Sequence, residues 1–520
     1  MNTGFLPLPT LRAPLGVPHN WWVFAGVYLL VWVFMPPLLA PSFPLDVVES
    51  LGWGREWQWG YYKHPPLPPI ALHVFYQAFG RIGPFALSQL CVALTLWMVW
   101  LTARRLVSPE RALLGSLLTM GVAFYTRPTL EFNHNIAQMP LWAAICYYYL
   151  AAWQDGKLRQ WCMLGLFAGL GLLCKYSMGV LLVCLALFTA FTPARRVLRQ
   201  PGPWLAMLVM TLVFAPHLVW LQHNDWLPLA YAHERTSGPG TPAQLGALKF
   251  ALTQGLNHLP LLLILLLPLT WLRLTHQLPR TAARQRIHSQ QPHYLLLIAM
   301  GPGLLLVLLG LLAGVRLRDM WGVPIWPFSG LLLVALLPDA KLARLRPIML
   351  RGLALWLVLI TILSGLYLFK IADWRQRPVR SDWPTAALAQ QAEHTWAELS
   401  ICPLDTVAGD TWMASLIATS IANHPSVLIP GDARYSPWAT PQRLLTHGAL
   451  WVWQSEDTDD GEPTPIAALT DIQSNLAIQV HQGRWSIPWA REPHQKALEI
   501  EWRTIVPMAC IRNPAEASNR

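Results

Sequence analysis

The chain has 520 residues, 54% of them hydrophobic and only 12% charged, with a mean hydropathy of +0.35. A soluble domain carries about 25% charged residues, so this composition excludes an ordinary water-soluble protein and fits one that crosses a membrane many times. The net charge of +11 does not point to nucleic acid, because the basic residues sit in short loops where membrane orientation accounts for them.

Apolar stretches predict spans at 21–39, 83–103, 112–126, 137–153, 161–174, 176–192, 203–221, 250–272, 293–314, 321–337 and 348–370, about eleven in all. The first has no small-residue cleavage site and is expected to stay as a helix. Alternate loops collect the cations: Arg104, Arg105 and Arg111; Arg195, Arg196 and Arg199; Arg280, Arg284 and Arg286. The positive-inside rule then puts the N-terminus in the cytoplasm and the loop at 46–80 outside. An odd number of spans sends the C-terminal region outside too.

From about Ile371 the long apolar stretches stop. Short buried strands at 406–409, 426–429 and 449–453 alternate with helices at 412–423 and 441–447, the pattern of a small α/β domain. The expected architecture is mostly α: a polytopic transmembrane helical bundle over 1–371, followed by an extracytoplasmic α/β domain over 372–520. Cys402 and Cys510, the two cysteines of that domain, either form a disulfide or remain two buried thiols. The other five lie in apolar stretches and read as packing residues. No Cys/His spacing marks a zinc site.

Polar chemistry concentrates in the first outer loop. Residues 46–67 contain Asp46, Glu49, Glu56, three tryptophans, Lys63 and His64, and end in a Pro-Pro step. On a helix Glu49 shares a face with Asp46. A carboxylate there can serve as general base toward a hydroxyl. Lys63 offers a point charge to a phosphate, and His64 a donor when protonated.

Asp46 followed eighteen residues later by His64, within Trp-Gly-Tyr-Tyr62-Lys63-His64-Pro-Pro-Leu67, resembles the first outer loop of the bacterial family 39 glycosyltransferases. That family is akin to the protein O-mannosyltransferases and the lipid A aminoarabinose transferases. Its usual Asp-Glu pair is here Asp46-Val47, and Glu49 either replaces the missing acid or is unrelated. Glu131-Phe-Asn133-His134-Asn135 resembles the second outer loop, with an amide where many relatives carry an Asp. The glycine-rich run 165–171 ending at Lys175-Tyr176 resembles a close-packed helix with a boundary lysine, and His223-Asn-Asp225-Trp resembles a donor-cavity loop.

The resemblance implies a GT-C fold, a polyprenyl-phosphate sugar donor and work at the outer face of the cell inner membrane. It implies Asp46, with Glu49, in catalysis and Lys63, His64, Lys175 and Arg318 on the donor phosphate. Tyr62, Asn133, Asn135, His223 and Asp225 are then substrate contacts. An interfacial ion pair with Asp319 is an equal reading of Arg318. The acceptor is expected to be an envelope lipid, glycan or protein. No cofactor is expected; a divalent cation beside Asp46 and Glu49 is left open, since nothing sets a ligand number. The alternative function is a multi-span transporter or lipid flippase, which would place ionisable groups near the midplane rather than at outer ends.

Overall fold

The computed structural model describes residues 19–237, 242–277, 287–375, 377–429, 433–454, 478–489, 491 and 495–512. The loop cations Arg280, Arg284 and Arg286 lie outside the described residues.

The apolar first stretch forms α1 (His19–Leu39), and Pro44 starts a short helix, α2 (Leu45–Gly54). Pro66 precedes α3 (Leu67–Phe79), which runs through one three-ten turn into α4 (Gly83–Leu106). Proline suits such a start because its missing N–H is an orphan donor there anyway. Then come α5 (Pro109–Leu117), α6 (His134–Asp155), α7 (Leu158–Cys174), α8 (Met178–Phe191), α9 (Pro201–His223) and α10 (Leu227–Ser237). The membrane part closes with α11 (Ala243–Asn257), α12 (Leu259–Leu274), α13 (Pro292–Leu312), α14 (Ser329–Ala335) and the long α15 (Asp339–Arg375).

The bundle is held by close approach and by buried polar contacts. Gly165 and Gly169 of α7 face α9 so tightly that a side chain at either would meet the Ala206 carbonyl or Val213. Trp32 of α1 donates its indole N–H to Thr361 of α15 at 2.8 Å.

Among the described residues, four helical segments suit a membrane crossing by length and composition: 67–106, 201–223, 292–312 and 339–375. The number becomes six if each bent pair makes one span, so the eleven apolar stretches do not map singly onto long helices. The stretch at 112–126 is helical only to Leu117 and continues as three-ten turns. Just past the helix end the Thr119 hydroxyl donates to the Pro327 carbonyl across the bundle, and further on Thr126 donates to the Ala123 carbonyl of its own three-ten segment. The stretch at 321–337 keeps only the seven residues of α14, since Pro324 and Pro327 interrupt it. That at 250–272 bends by 52° between α11 and α12.

The C-terminal part contains α16 (Thr385–Leu399), β1 (Thr406–Gly409), α17 (Thr411–Ser420), β2 (Ser426–Leu428), α18 (Pro441–His447), β3 (Ala449–Gln454), β4 (Ile478–Ile487) and β5 (Leu498–Pro507). The sheet order is β2-β1-β3-β5-β4, parallel across β2-β1-β3 and antiparallel beyond. Val407 stands opposite Val427 and Leu450, so β1 is the buried centre of the parallel half. Cys402 and Cys510 are joined as a disulfide, which ties the end of the chain to the segment after α16.

This part docks on α2 and α3. Gly52 of α2 lies against Ser415 of α17, and the Tyr76 hydroxyl of α3 donates to the Thr419 carbonyl at 3.1 Å. Arg491 donates to the carbonyls of Leu39 and Leu368, at α1 and α15.

Gly54, at the end of α2, has no room for a side chain: a Cβ would strike the Pro69 carbonyl and His73. Gly54→Ala is expected to cost about 1–3 kcal/mol by forcing α2 off α3. Gly179→Ala, with open space around it, serves as the neutral comparison. Thermal unfolding of both variants in detergent checks this, and equal melting temperatures would refute it.

Candidate active site

The site begins with a missing cap. Pro44 precedes α2 with no side-chain acceptor, so the first N–H groups of the helix need an outside partner. Glu131, from the loop before α6, supplies it: its Oε1 accepts the Asp46 N–H at 3.0 Å. A second carboxylate is thereby parked beside Asp46, 85 residues away in the chain.

Asn133 serves both sides of this junction. Its Oδ1 caps α6 by accepting the N–H groups of Asn135 at 2.9 Å and Ile136 at 3.2 Å. Its amide NH₂ is the donor left over, and the side chain bonds the Asp46 carboxylate. Asn135, in the first turn of α6, accepts from Lys175 Nζ at 2.5 Å. Lys175 sits in the turn between α7 and α8, with its carbonyl held by Gln138 Nε2 at 3.2 Å. Asp46, Asn133, Asn135 and Lys175 thus converge from three separate loops.

Burial pushes the Asp46 carboxyl above the usual carboxylate range, against the Asn133 bond and the charges of Lys175, Lys63 and Arg380. Burial, then the Asp46 charge, pushes Glu131 up to about 7. Lys175 is drawn down to about 8 by burial, with Cys174 and Asp46 opposing the fall. The cluster therefore holds two groups, Glu131 and Lys175, that titrate around neutrality, the condition for proton transfer at physiological pH.

Lys63 and His64 sit on a tight turn in which Tyr61 and His64 exchange backbone hydrogen bonds of 3.0 and 3.2 Å. Lys63 Nζ reaches Glu49 Oε1 at 2.5 Å and lies over the rings of Tyr62, Trp53 and Tyr231 at 5.1, 5.8 and 5.9 Å. Burial alone would lower this ammonium, but the Glu49 and Tyr62 partners outweigh it and hold it protonated above its ordinary range. Glu49 shares the Asp46 face, as helical spacing predicts, yet spends its carboxylate on Lys63. His64 stacks near His134 with ring centres 4.1 Å apart. Burial, then the neighbouring positive groups, pulls His64 far below the usual histidine range, so the pocket contains a neutral imidazole.

Three sequence-predicted residues lie elsewhere. Arg318 is exposed at the start of a three-ten turn, and no described contact ties it to the cluster. His223 is exposed at the end of α9. Asp225, also exposed, pairs with Arg434 of the C-terminal part at 3.1 Å. Tyr62 is buried and stacks on Tyr435 at 4.3 Å.

Sequence reasoning missed Glu131 as the partner acid and Arg380 as a cation facing both carboxylates. Glu131 heads the second-loop motif, so its position carried a signal; Arg380, beyond the last apolar stretch, carried none. Among the described residues, no group of three or more His, Cys, Asp or Glu side chains is arranged to hold a metal.

The coupling of the acid pair is measurable. Infrared titration of the full chain in nanodiscs should show a carboxyl near pH 7 that disappears in Glu131→Gln. In Asp46→Asn it should move to lower pH, because the negative neighbour that raises it is gone. A midpoint unchanged in Asp46→Asn would refute the pairing.

Residues 63–220 match the family model described as dolichyl-phosphate-mannose-protein mannosyltransferase. The lipopolysaccharide core galacturonosyltransferase RgtB of Rhizobium johnstonii is 27% identical over 238 residues, covering 43% of this chain and 47% of its own. The chain thus spans about half the length of that curated relative. The structures of ArnT from Cupriavidus metallidurans, bound to undecaprenyl phosphate and in the apo state, align with TM-scores of 0.59 and 0.58. Identity is 14% and 15%, with 93% of this chain and 98% of each of those covered, so the likeness is one of fold. The fold is thus that of the two ArnT structures, and the matched segment is similar to the mannosyltransferase family model and to RgtB.

Proposed function

We propose that this chain is a GT-C membrane glycosyltransferase that moves a sugar from a polyprenyl-phosphate donor to a lipopolysaccharide-type envelope acceptor. Its site opens at the outer face of the inner membrane, the N-terminus is cytoplasmic, and the part from residue 372 onward is periplasmic. The observation that carries this reading is the convergence of Asp46, Glu131, Asn133, Asn135 and Lys175 from three loops, with the Lys63–Glu49 pair beside them. The Cys402–Cys510 bond suits the oxidising side of that membrane. Undecaprenyl phosphate in the ArnT structure supports the donor class, and the lipopolysaccharide core named for RgtB supports the acceptor class.

The chemistry is a single displacement. Asp46 takes the proton of an acceptor hydroxyl as its oxygen attacks the anomeric carbon. The bond from that carbon to the phosphate oxygen breaks, and its electron pair leaves with the polyprenyl phosphate. Lys175 and Lys63 offset the charge that gathers on the departing phosphate, in a pocket where burial makes each charge count for more than in water. Phosphate is already a good leaving group, so no acid is required to protonate it. Glu49 keeps Lys63 charged and placed, and the high pKa of Asp46 makes it a stronger base.

Asp46→Asn keeps the hydrogen-bonding shape and removes the base. Release of undecaprenyl phosphate from an undecaprenyl-phosphate sugar, with purified lipopolysaccharide as acceptor, should fall by about a hundredfold or more while folding is retained. Near-normal release in that variant would sink the base assignment. Mass spectrometry of envelope lipids from cells with and without the protein identifies the sugar moved.

A further inference from the structure

The membrane part does not complete the surroundings of Lys63. Its ammonium pairs with Glu49 and lies 5.1 Å over the Tyr62 ring. Tyr62 is in turn gripped by the C-terminal part. Tyr435 stacks on it with centroids 4.3 Å apart and planes inclined by 26°. Beside it Tyr61 meets the edge of Trp438 at 6.4 Å.

The turn that carries Tyr435 is fastened on several sides. The buried Ile429 N–H donates to Ser436 Oγ at 3.0 Å. Trp438 donates its indole N–H to the Val427 carbonyl at 2.8 Å, joining the turn to β2. Arg434 pairs with Asp225 at 3.1 Å, which clips the same turn to the loop between α9 and α10. From α10 comes Tyr231, edge-on to Tyr62 at 6.1 Å and within 5.9 Å of the ammonium. A lysine stem is flexible and its ammonium strongly hydrated, so holding it in one place needs walls of this kind.

We propose that Tyr435 is a positioning residue that acts through Tyr62 to hold the Lys63 ammonium where a polyprenyl phosphate is bound, making the C-terminal part a structural component of the donor site. This rests on the function proposed above only for the identity of the ligand; the chain of contacts from Tyr435 to Lys63 can be tested without it. The stack needs the ring, and Tyr435→Phe preserves it while Tyr435→Ala does not.

Two measurements on the full chain in nanodiscs decide the matter. In the first, lysines are ¹³C-methylated and the Lys63 signal, assigned with Lys63→Arg, is followed by NMR. It should carry an upfield ring-current shift that Tyr435→Ala reduces and Tyr435→Phe keeps; an unmoved signal in the alanine variant overturns the proposal. In the second, binding of undecaprenyl phosphate should weaken on the order of tenfold in Tyr435→Ala and recover in Tyr435→Phe. Equal binding in all three proteins, or equal loss in both variants, also overturns it. A wild-type protein that does not bind undecaprenyl phosphate, with the Lys63 signal still dependent on Tyr435, overturns the donor reading and the assignment of this site to it, while the contact chain stands.

Discussion

The hydrogen bond from the Asp46 N–H to Glu131 is the contact on which the site depends. A helix that opens after proline, with no capping side chain, has donors that must be satisfied from elsewhere. Meeting that need with a carboxylate rather than a carbonyl brings a negative charge to the positive end of the α2 dipole, where it is stabilised. It also sets a second acid within Coulomb range of Asp46. One local deficiency of backbone chemistry therefore draws the loop before α6 onto the start of α2 and creates an acid pair.

Such a pair in a half-buried setting is costly unless cations share it. Lys175 and Lys63 meet that cost, and each is itself tied to a second acceptor, Asn135 and Glu49. The outcome is an alternation of acid and base with little net charge, in which small changes of environment shift protonation. A neutral His64 completes it: three positive charges crowded together would have repelled the lysines from the place a phosphate needs. Burial, the largest influence on Asp46, Glu131 and Lys175, links the packing of the loops to the chemistry they can perform.

Much of this is legible in the residues alone, for reasons that differ from element to element. Asp46 and the Tyr62–His64 turn belong to one short segment bracketed by prolines, so their spacing survives folding. The C-terminal strands at 406–409 and 449–453 show as apolar runs, and α18 matches its expected bounds because Thr440 and Gly448 punctuate it. The hairpin of β4 and β5 escaped notice, since its faces alternate with charged residues and read as polar chain. The stretches at 112–126 and 321–337 are not single long helices because hydropathy measures apolar content: it is blind to threonine hydroxyls that bond the backbone in the first and to the two prolines that interrupt the second. His223 and Arg318 are exposed, and Asp225 meets Arg434 of the C-terminal part rather than Asp46 or Lys63, a partnership across 209 residues that sequence spacing does not reveal.

The alliance of the two parts was the least foreseeable feature, and it follows from α2. This helix buries Val47, Val48, Leu51 and Trp53, more apolar surface than a ten-residue segment at the membrane edge can cover against α3 alone. Its remaining face must be closed by something, and α17 closes it, with Gly52 admitting Ser415 at van der Waals range. Once that contact exists, the C-terminal part stands directly over the turn that bears Lys63, and its aromatic side chains become walls of the pocket. Arg380, in the turn whose Ser381 carbonyl accepts the Ser42 N–H at 3.1 Å, arrives beside the acid pair by the same docking. A separate docking module would leave the pocket intact when removed. Here its removal would strip α2 of its cover, Tyr62 of its stacking partner and the acid pair of one of its cations, so the two parts form one site.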